Sequence, residues 1–277
     1  MKRQLKNIMS LDQFYTNPDI AKKCYKHLES VISVDDYDCV LEPSAGTGSF
    51  FILLPENKKL GLDIEPKSEG IVQMDFFEFK PDPQKKYLVI GNPPFGIGSS
   101  IAVKFFNKSA GFSDCIAFII PRTFKRASLQ NKLDLNFSLI FNEDLPLTPC
   151  CFSPKMSAKC CFQIWKRIEV PREKVIYDKT HGHFCFVKHG PKDIRGQPTP
   201  PKNADFVMKA YGSNCGELQD SDLESLRPKS WHWIKSNINI ELLKSRFRRL
   251  DYSMSKDTVR QDSIGQQEVI HLYKQLF

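Results

Sequence analysis

The 277-residue sequence has no apolar run approaching the roughly 18 residues that cross a bilayer, and its opening stretch, MKRQLKNIMSLDQFY, lacks the apolar core of a signal peptide. Both absences lead to the expectation of an intracellular chain, in cytoplasm or nucleus, with no membrane partner. Among the nine cysteines there is no Cys-x-x-Cys, and their number is odd, so no disulfide framework is expected. The neighbours Cys150 and Cys151, and Cys160 and Cys161, lie in apolar runs, where adjacent side chains on a strand face opposite sides and are poorly placed to hold one ion. Reduced, mostly buried thiols follow. His181, His183 and Cys185 alternate along one strand face, but no fourth ligand accompanies them, so the segment is read as an ordinary strand and no metal is assigned. Internal repeats, low-complexity tracts and charged tails are also missing. The net charge of +8 divides evenly, +4 on residues 1–168 and +4 on residues 169–277.

What is present is a globular composition, 41% hydrophobic and 26% charged, long enough for one large domain, alone or with a smaller one. Spread positive charge suits a polyanionic partner and serves solubility equally well, so a nucleic-acid partner needs a motif to support it. Residues 1–168 alternate short apolar runs with helical stretches, the pattern of a parallel sheet with crossover helices. Asp19 to Ile32 reads as a helix, with Asn17 as its N-cap and Pro18 at the first helical position. Candidate strands are Asp38–Leu41, Lys59–Asp63, Gly70–Met74, Tyr87–Gly91, Cys115–Ile120, Phe137–Phe141 and Cys160–Lys166, with connecting helices over Ser100–Ala110 and Phe124–Lys132. The fold class is therefore α/β, a doubly wound seven-stranded Rossmann-like sheet whose ligand sites lie beyond the carboxyl ends of the strands. Residues 169–277 read as a small C-terminal extension. It holds a strand at His181–His189, a Pro and Gly loop at Gly190–Lys202, a basic amphipathic helix at Asn237–Leu250 and a last helix in Gln266–Phe277.

The residues with chemistry follow strands. After Leu41 comes Glu42-Pro43-Ser44-Ala45-Gly46-Thr47-Gly48-Ser49, in which Gly46 and Gly48 let the backbone turn sharply and approach a ligand. The next strand ends Gly61-Leu62-Asp63, placing a carboxylate within reach of ribose hydroxyls, and another ends Met74-Asp75-Phe76, where the acid can accept from an adenine amino group and the ring can touch the base. Each acid also reads as a solvated strand end. Asn92-Pro93-Pro94-Phe95 follows a buried strand. Its two prolines set the chain direction, remove two N–H donors and leave acceptors facing outward, a site for a donor such as an exocyclic amino group. Lys125 and Arg126 read either as rim contacts or as a solvated loop. Trp231 and Trp233, beside Lys229, Lys235, Arg246, Arg248 and Arg249, read either as stacking platforms with phosphate contacts or as core with a solvated basic face.

On these motifs residues 14–168 resemble the class I S-adenosylmethionine-dependent methyltransferases of the amino-group type, in particular the gamma-class N6-adenine DNA methyltransferases. Tyr15-Thr16-Asn17-Pro18 is similar to the segment that covers the methionine end of the cofactor there. The resemblance implies S-adenosylmethionine as cofactor and S-adenosylhomocysteine as product, held by Tyr15, Thr16, Pro18, Glu42, Pro43, Ser44, Ala45, Gly46, Gly48, Asp63, Ile64, Asp75, Phe76 and Asn92. Asn92, Pro93, Pro94 and Phe95 would be the catalytic tetrapeptide. Cys151-Phe152-Ser-Pro-Lys155 is similar to the loop whose aromatic stacks on the extruded target base, which gives Phe152 that role and Lys155 a base or phosphate contact; Lys125 and Arg126 are substrate candidates by their rim position alone.

The implied division is a catalytic domain over residues 1–168 and a substrate-recognition extension over 169–277. The implied reaction is transfer of a methyl group to the N6 amino group of adenine in nucleic acid, DNA before RNA. The same tetrapeptide serves RNA adenosine methyltransferases, a related one serves protein glutamine methyltransferases, and an inactive nucleic-acid-binding subunit is the reading from outside enzymology.

Overall fold

The structure, a computed structural model, describes residues 14–277; the opening segment as far as residue 13, part of which entered the signal-peptide reading, lies outside the described residues. The chain divides into two compact units, Met1–Lys174 and Val175–Phe277.

The first unit runs β1 (Tyr15–Thr16), α1 (Pro18–Val31), β2 (Cys39–Glu42), β3 (Lys59–Asp63), β4 (Val72–Gln73), β5 (Tyr87–Gly91), α2 (Ser100–Ala110), β6 (Ser113–Pro121), α3 (Ala127–Gln130), β7 (Phe137–Asp144), β8 (Phe152–Ser153) and β9 (Cys160–Arg167). Seven strands form one sheet in the order β4-β3-β2-β5-β6-β9-β7. Neighbours are parallel from β4 through β6, and β9 runs antiparallel to both β6 and β7. All seven strands expected from the apolar runs are present. The edge strand β4 is cut to two residues because only Val72 and Gln73 find partners on β3. Central strands are apolar on both faces, as covered parallel strands must be: Tyr87–Gly91 is buried throughout, and Ile116–Ile120 has no exposed surface.

Local chemistry explains the helices. The Asn17 side chain accepts from the Asp19 N–H at 3.0 Å and Pro18 fills the first turn, where no N–H is needed. Ile20, Ala21, Cys24, Tyr25 and Leu28 then make a buried stripe at helical spacing. On α2, Ala102, Phe105, Phe106 and Ala110 pack into a cluster with Phe118, Phe137 and Trp165. The helix expected over Phe124–Lys132 is two pieces. A 3₁₀ turn, Arg122–Lys125, ends where Arg126 turns extended (φ −84°, ψ 141°) and becomes the N-terminal flank of α3. The pair β1 and β8 was not expected. It sets Tyr15 opposite Ser153 and Thr16 opposite Phe152.

The second unit holds β10 (Phe184–Phe186), β11 (Phe206–Lys209), β12 (Leu218–Gln219), β13 (Trp231–Ser236), α4 (Ile240–Phe247) and α5 (Gln266–Lys274). Its strands form an antiparallel sheet in the order β10-β13-β11-β12. Phe184, Phe206, Ile234, Leu243, Phe247 and Tyr273 are among the residues of its own core. Trp231 and Trp233 are 8% and 1% exposed, and the Trp233 indole N–H donates to the Pro228 carbonyl at 3.1 Å, so both are core residues and neither is a stacking platform. The helix expected over Asn237–Leu250 is trimmed to α4, capped by Asn239, whose side chain accepts from the Leu242 N–H. All nine cysteines are free thiols, six of them buried. Among the described residues no helix is long and apolar enough to cross a membrane.

Candidate active site

The strand order reverses at β2: β3 and β4 lie to one side, β5 and β6 to the other. A sheet wound in two directions opens a crevice beyond the carboxyl ends of the strands at such a point. There the first unit has a cleft of ≈ 260 Å³, lined by Tyr15, Pro43, Ser44, Gly46, Asp63, Ile64, Asp75, Phe76, Asn92 and Pro94 from the expected set, and by Phe14, Met74, Phe77, Ile101 and Phe105 besides. A smaller cavity of ≈ 30 Å³ is lined by Thr16, Glu42 and Ala45 and shares Tyr15, Ser44 and Asn92 with the cleft.

Gly46 has φ +49°, and a Cβ there would meet the Tyr15 ring at 2.7 Å, so a tyrosine stacked on a turn requires glycine at this position. The Gly46 N–H donates to Asp63 Oδ2 at 2.7 Å and the Glu65 N–H to Asp63 Oδ1 at 2.8 Å. Both oxygens are thereby fixed in direction and each keeps a lone pair for a further donor. Asp75 Oδ1 accepts from the Phe77 N–H at 2.8 Å, which holds the acid at the start of a 3₁₀ turn. The Phe76 ring is 1% exposed and stacks on Phe105 at 5.0 Å, so it forms the floor of the cleft and is otherwise committed to the core.

Asn92 directly follows β5, with its amide split between two tasks. Nδ2 donates to the Phe14 carbonyl at 2.9 Å, whereas Oδ1 is buried and has no partner among the described residues. Glu42 Oε2 and Thr16 Oγ1 are likewise buried and unpartnered. Burial pushes the Glu42 carboxyl well above its ordinary value; the Phe51 N–H opposes this and the nearby Asp63 charge adds to it. Buried acceptors without partners are rare in a folded chain, and all three of these stand at the same two cavities.

The remaining expected residues lie apart from the cleft lining. Pro18 is exposed at the first turn of α1, Gly48 (φ +80°) serves the turn beside Ser68, and Pro93 is buried. Phe95 meets Phe152 edge to face, at 6.5 Å between centroids and 87° between planes, and Phe152 is only 5% exposed. Lys155 is exposed, Lys125 pairs with Asp144 at 3.3 Å, and Arg126 flanks α3. The residues outside the expected set that line the larger cleft are apolar and carry no motif. Their only signal is position, next to Tyr15, next to Asp75 and Phe76, or on the first turns of a helix that follows the Asn-Pro-Pro segment.

Parallel strands wound both ways, with one antiparallel strand inserted between the last two, make the Rossmann-like sheet of the class I methyltransferase fold. No family model and no curated protein matches the chain. Solved structures similar to it include a Pyrococcus horikoshii protein described provisionally as an RNA methyltransferase, with 18% identity, covering 57% of this chain and 88% of that one at a TM-score of 0.44. The 23S rRNA methyltransferase ErmE is similar at 17% identity, over 57% of this chain and 71% of its own, with a TM-score of 0.41. A Thermoplasma acidophilum protein is similar at 16% identity, over 56% and 88%, with a TM-score of 0.40.

Proposed function

We propose that the first unit is an S-adenosylmethionine-dependent methyltransferase that modifies the N6 amino group of adenine in nucleic acid, with unpaired adenine in RNA ahead of the DNA expected from sequence. The observation that carries this reading is Asn92: its Nδ2 is tied to Phe14 while its Oδ1 is left buried and unpaired at the cleft. An oxygen so held is an acceptor awaiting an N–H, and an exocyclic amino group brings two.

The cofactor, when bound, supplies a methyl group already activated on a sulfonium. The protein's work is then alignment and orientation. Asn92 Oδ1 and the Pro93 carbonyl accept hydrogen bonds from the two amino N–H groups, which draws the nitrogen lone pair out of conjugation with the ring; once the N–C bond has formed and the S–C bond has broken, the nitrogen is acidic enough to give its extra proton to solvent, so no strong base is required. Asp63, oriented by two backbone N–H groups, would accept from the ribose hydroxyls of the cofactor. Asp75 would accept from its adenine. Glu42 and Thr16 would hold its ammonium with their unpaired oxygens, Glu42 giving up its proton to do so. The choice of an unpaired base rests on Phe152. At 5% exposure it offers little stacking surface to replace what a base loses on leaving a duplex, and an unpaired adenine has less to lose.

The test is incubation of the wild type and Asn92→Ala with labelled S-adenosylmethionine and, separately, RNA, single-stranded DNA and duplex DNA, followed by digestion to nucleosides and mass spectrometry. N6-methyladenosine formed by the wild type and reduced at least about a hundredfold in the variant is the expected result. Methylation confined to DNA would move the polymer back to the expectation from sequence. Cofactor binding without methylation of any nucleic acid would overturn the reading in favour of a protein substrate.

A further inference from the structure

In the second unit the residues before β10 bring two histidines together. A tight turn bridges His181 to Phe184, and the His181 and His183 rings stand 4.8 Å apart. The His183 backbone N–H donates to His181 Nδ1 at 3.1 Å, so the ring proton of neutral His181 sits on Nε2. His183 Nδ1 lies 3.1 Å from both Arg246 Nη1 and the Tyr273 hydroxyl. A guanidinium only donates, so this Nδ1 is an acceptor and the His183 proton is also on Nε2. Among the described residues neither Nε2 has a hydrogen-bond partner, and neither is among the buried unpaired atoms, so both N–H groups face solvent.

The surroundings favour an anion. Arg246 spends Nη1 on His183 and Tyr273 and lies 5.0 Å over the Phe277 ring, and its other donors have no partner among the described residues. Arg249 stands 5.1 Å from the same ring. Besides the neutral His183 ring, the charged groups acting on His181 are Lys274 and Arg246, both basic, and Asp178, which is itself engaged by Lys274 at 2.7 Å. Burial and these basic neighbours hold the His181 pKa below its ordinary value, which keeps the ring in the neutral form deduced from its hydrogen bond. A metal cation in the same place would face the Arg246 guanidinium.

We propose that His181 Nε2 and His183 Nε2, with Arg246 adding positive charge from the Nδ1 edge of the His183 ring, form a phosphate-binding site that contacts the backbone of the nucleic acid whose adenine the first unit modifies. The choice of backbone as the source rests on the proposed function; the affinity for a phosphate group does not.

The experiment uses the full chain. Its histidine ring ¹H–¹⁵N signals are followed while inorganic phosphate, and separately a single-stranded oligoadenylate RNA, is added to the wild type, His181→Phe and Arg246→Gln. His181→Phe keeps the ring packing on Phe184 and removes the donor. Shifts of both ring signals with phosphate and with RNA, and a roughly tenfold loss of RNA affinity in each variant while its near-ultraviolet dichroism stays that of the wild type, are expected. For Arg246→Gln the slope of log affinity against log salt falls by about one. Shifts with phosphate but not RNA overturn the backbone assignment, and no shift with either overturns the site. Should Arg246→Gln fail to fold, His181→Phe decides alone. Phosphate binding without methylation of any polymer would remove the proposed function and leave the site, whereas methylation by a chain whose histidine signals ignore phosphate would do the reverse.

Discussion

Glu42 ends β2 with its carboxyl buried, one oxygen unpaired and its pKa raised well above the ordinary 4.5 by desolvation. The unfolded chain releases this proton near the ordinary value and the folded chain holds it to higher pH. The stability it contributes is therefore complete below the unfolded value and is lost as the pH rises through the folded one, at up to about 1.4 kcal/mol per pH unit. Glu42→Gln presents a similar shape with nothing to titrate. Denaturant midpoints taken from about pH 5 to about pH 8 are expected to fall for the wild type relative to this variant, and parallel profiles would show that the carboxyl does not hold its proton. The same variant cannot ionise against an incoming ammonium, so its affinity for S-adenosylmethionine, read by calorimetry, is expected to drop roughly tenfold or more.

At the scale of an element, α1 carries the segment that the cofactor reading depends on. Its start is fixed by the Asn17 side chain on the Asp19 N–H, and the Asn17 N–H itself donates to the Cys151 carbonyl at 2.8 Å. The Tyr15-Thr16 strand just before it pairs with Phe152-Ser153. Asn17→Ala removes the side-chain cap and leaves that backbone bond, so thermal or denaturant unfolding is expected to show a loss of about 1 kcal/mol. A loss well under half of that would mean that pairing with β8, and not the cap, fixes the helix start. The cap was legible in the sequence because its causes are local, an Asn and a Pro in adjacent positions. The sheet was legible because both-face burial writes continuous apolar runs. The pairing of β1 with β8 was not, since two-residue strands more than a hundred positions apart leave no periodicity. Nor was the break at Arg126, where the apolar spacing of Phe124 and Ala127 suits one helix as well as two pieces. Within the site, Asn92, Glu42, Gly46 and Asp63 could be read from strand ends and turns. The unpaired state of Asn92 Oδ1 and Glu42 Oε2 could not, because it depends on what every neighbour does with its own donors.

For the whole molecule the consequence lies in the second unit, which sequence reading reduced to an extension with one strand and two helices. Its other strands are joined by pairings far apart in the chain: Phe206–Lys209 meets Trp231–Ser236, and Phe184–Phe186 meets the same strand from the other side. The alternation of Trp231, His232 and Trp233 is the trace of that sheet in the sequence, and it was ambiguous between packing and a stacking surface. With Trp233, Phe206, Phe247 and Tyr273 each 1% exposed or less, the unit has a centre of its own. Residues 175–277 expressed alone are therefore expected to unfold in one cooperative transition, with an enthalpy on the order of 60–80 kcal/mol for about 100 residues. The reporters are separable: Trp231 and Trp233 belong to this unit and Trp165, the remaining tryptophan, to the first. Near-ultraviolet dichroism of the fragment should retain the signal of two packed indoles and lose it in that same transition. A broad melt without tryptophan dichroism would show instead that the antiparallel sheet does not hold together in the isolated fragment. The phosphate site at His181 and His183 would then have to be studied only in the intact chain.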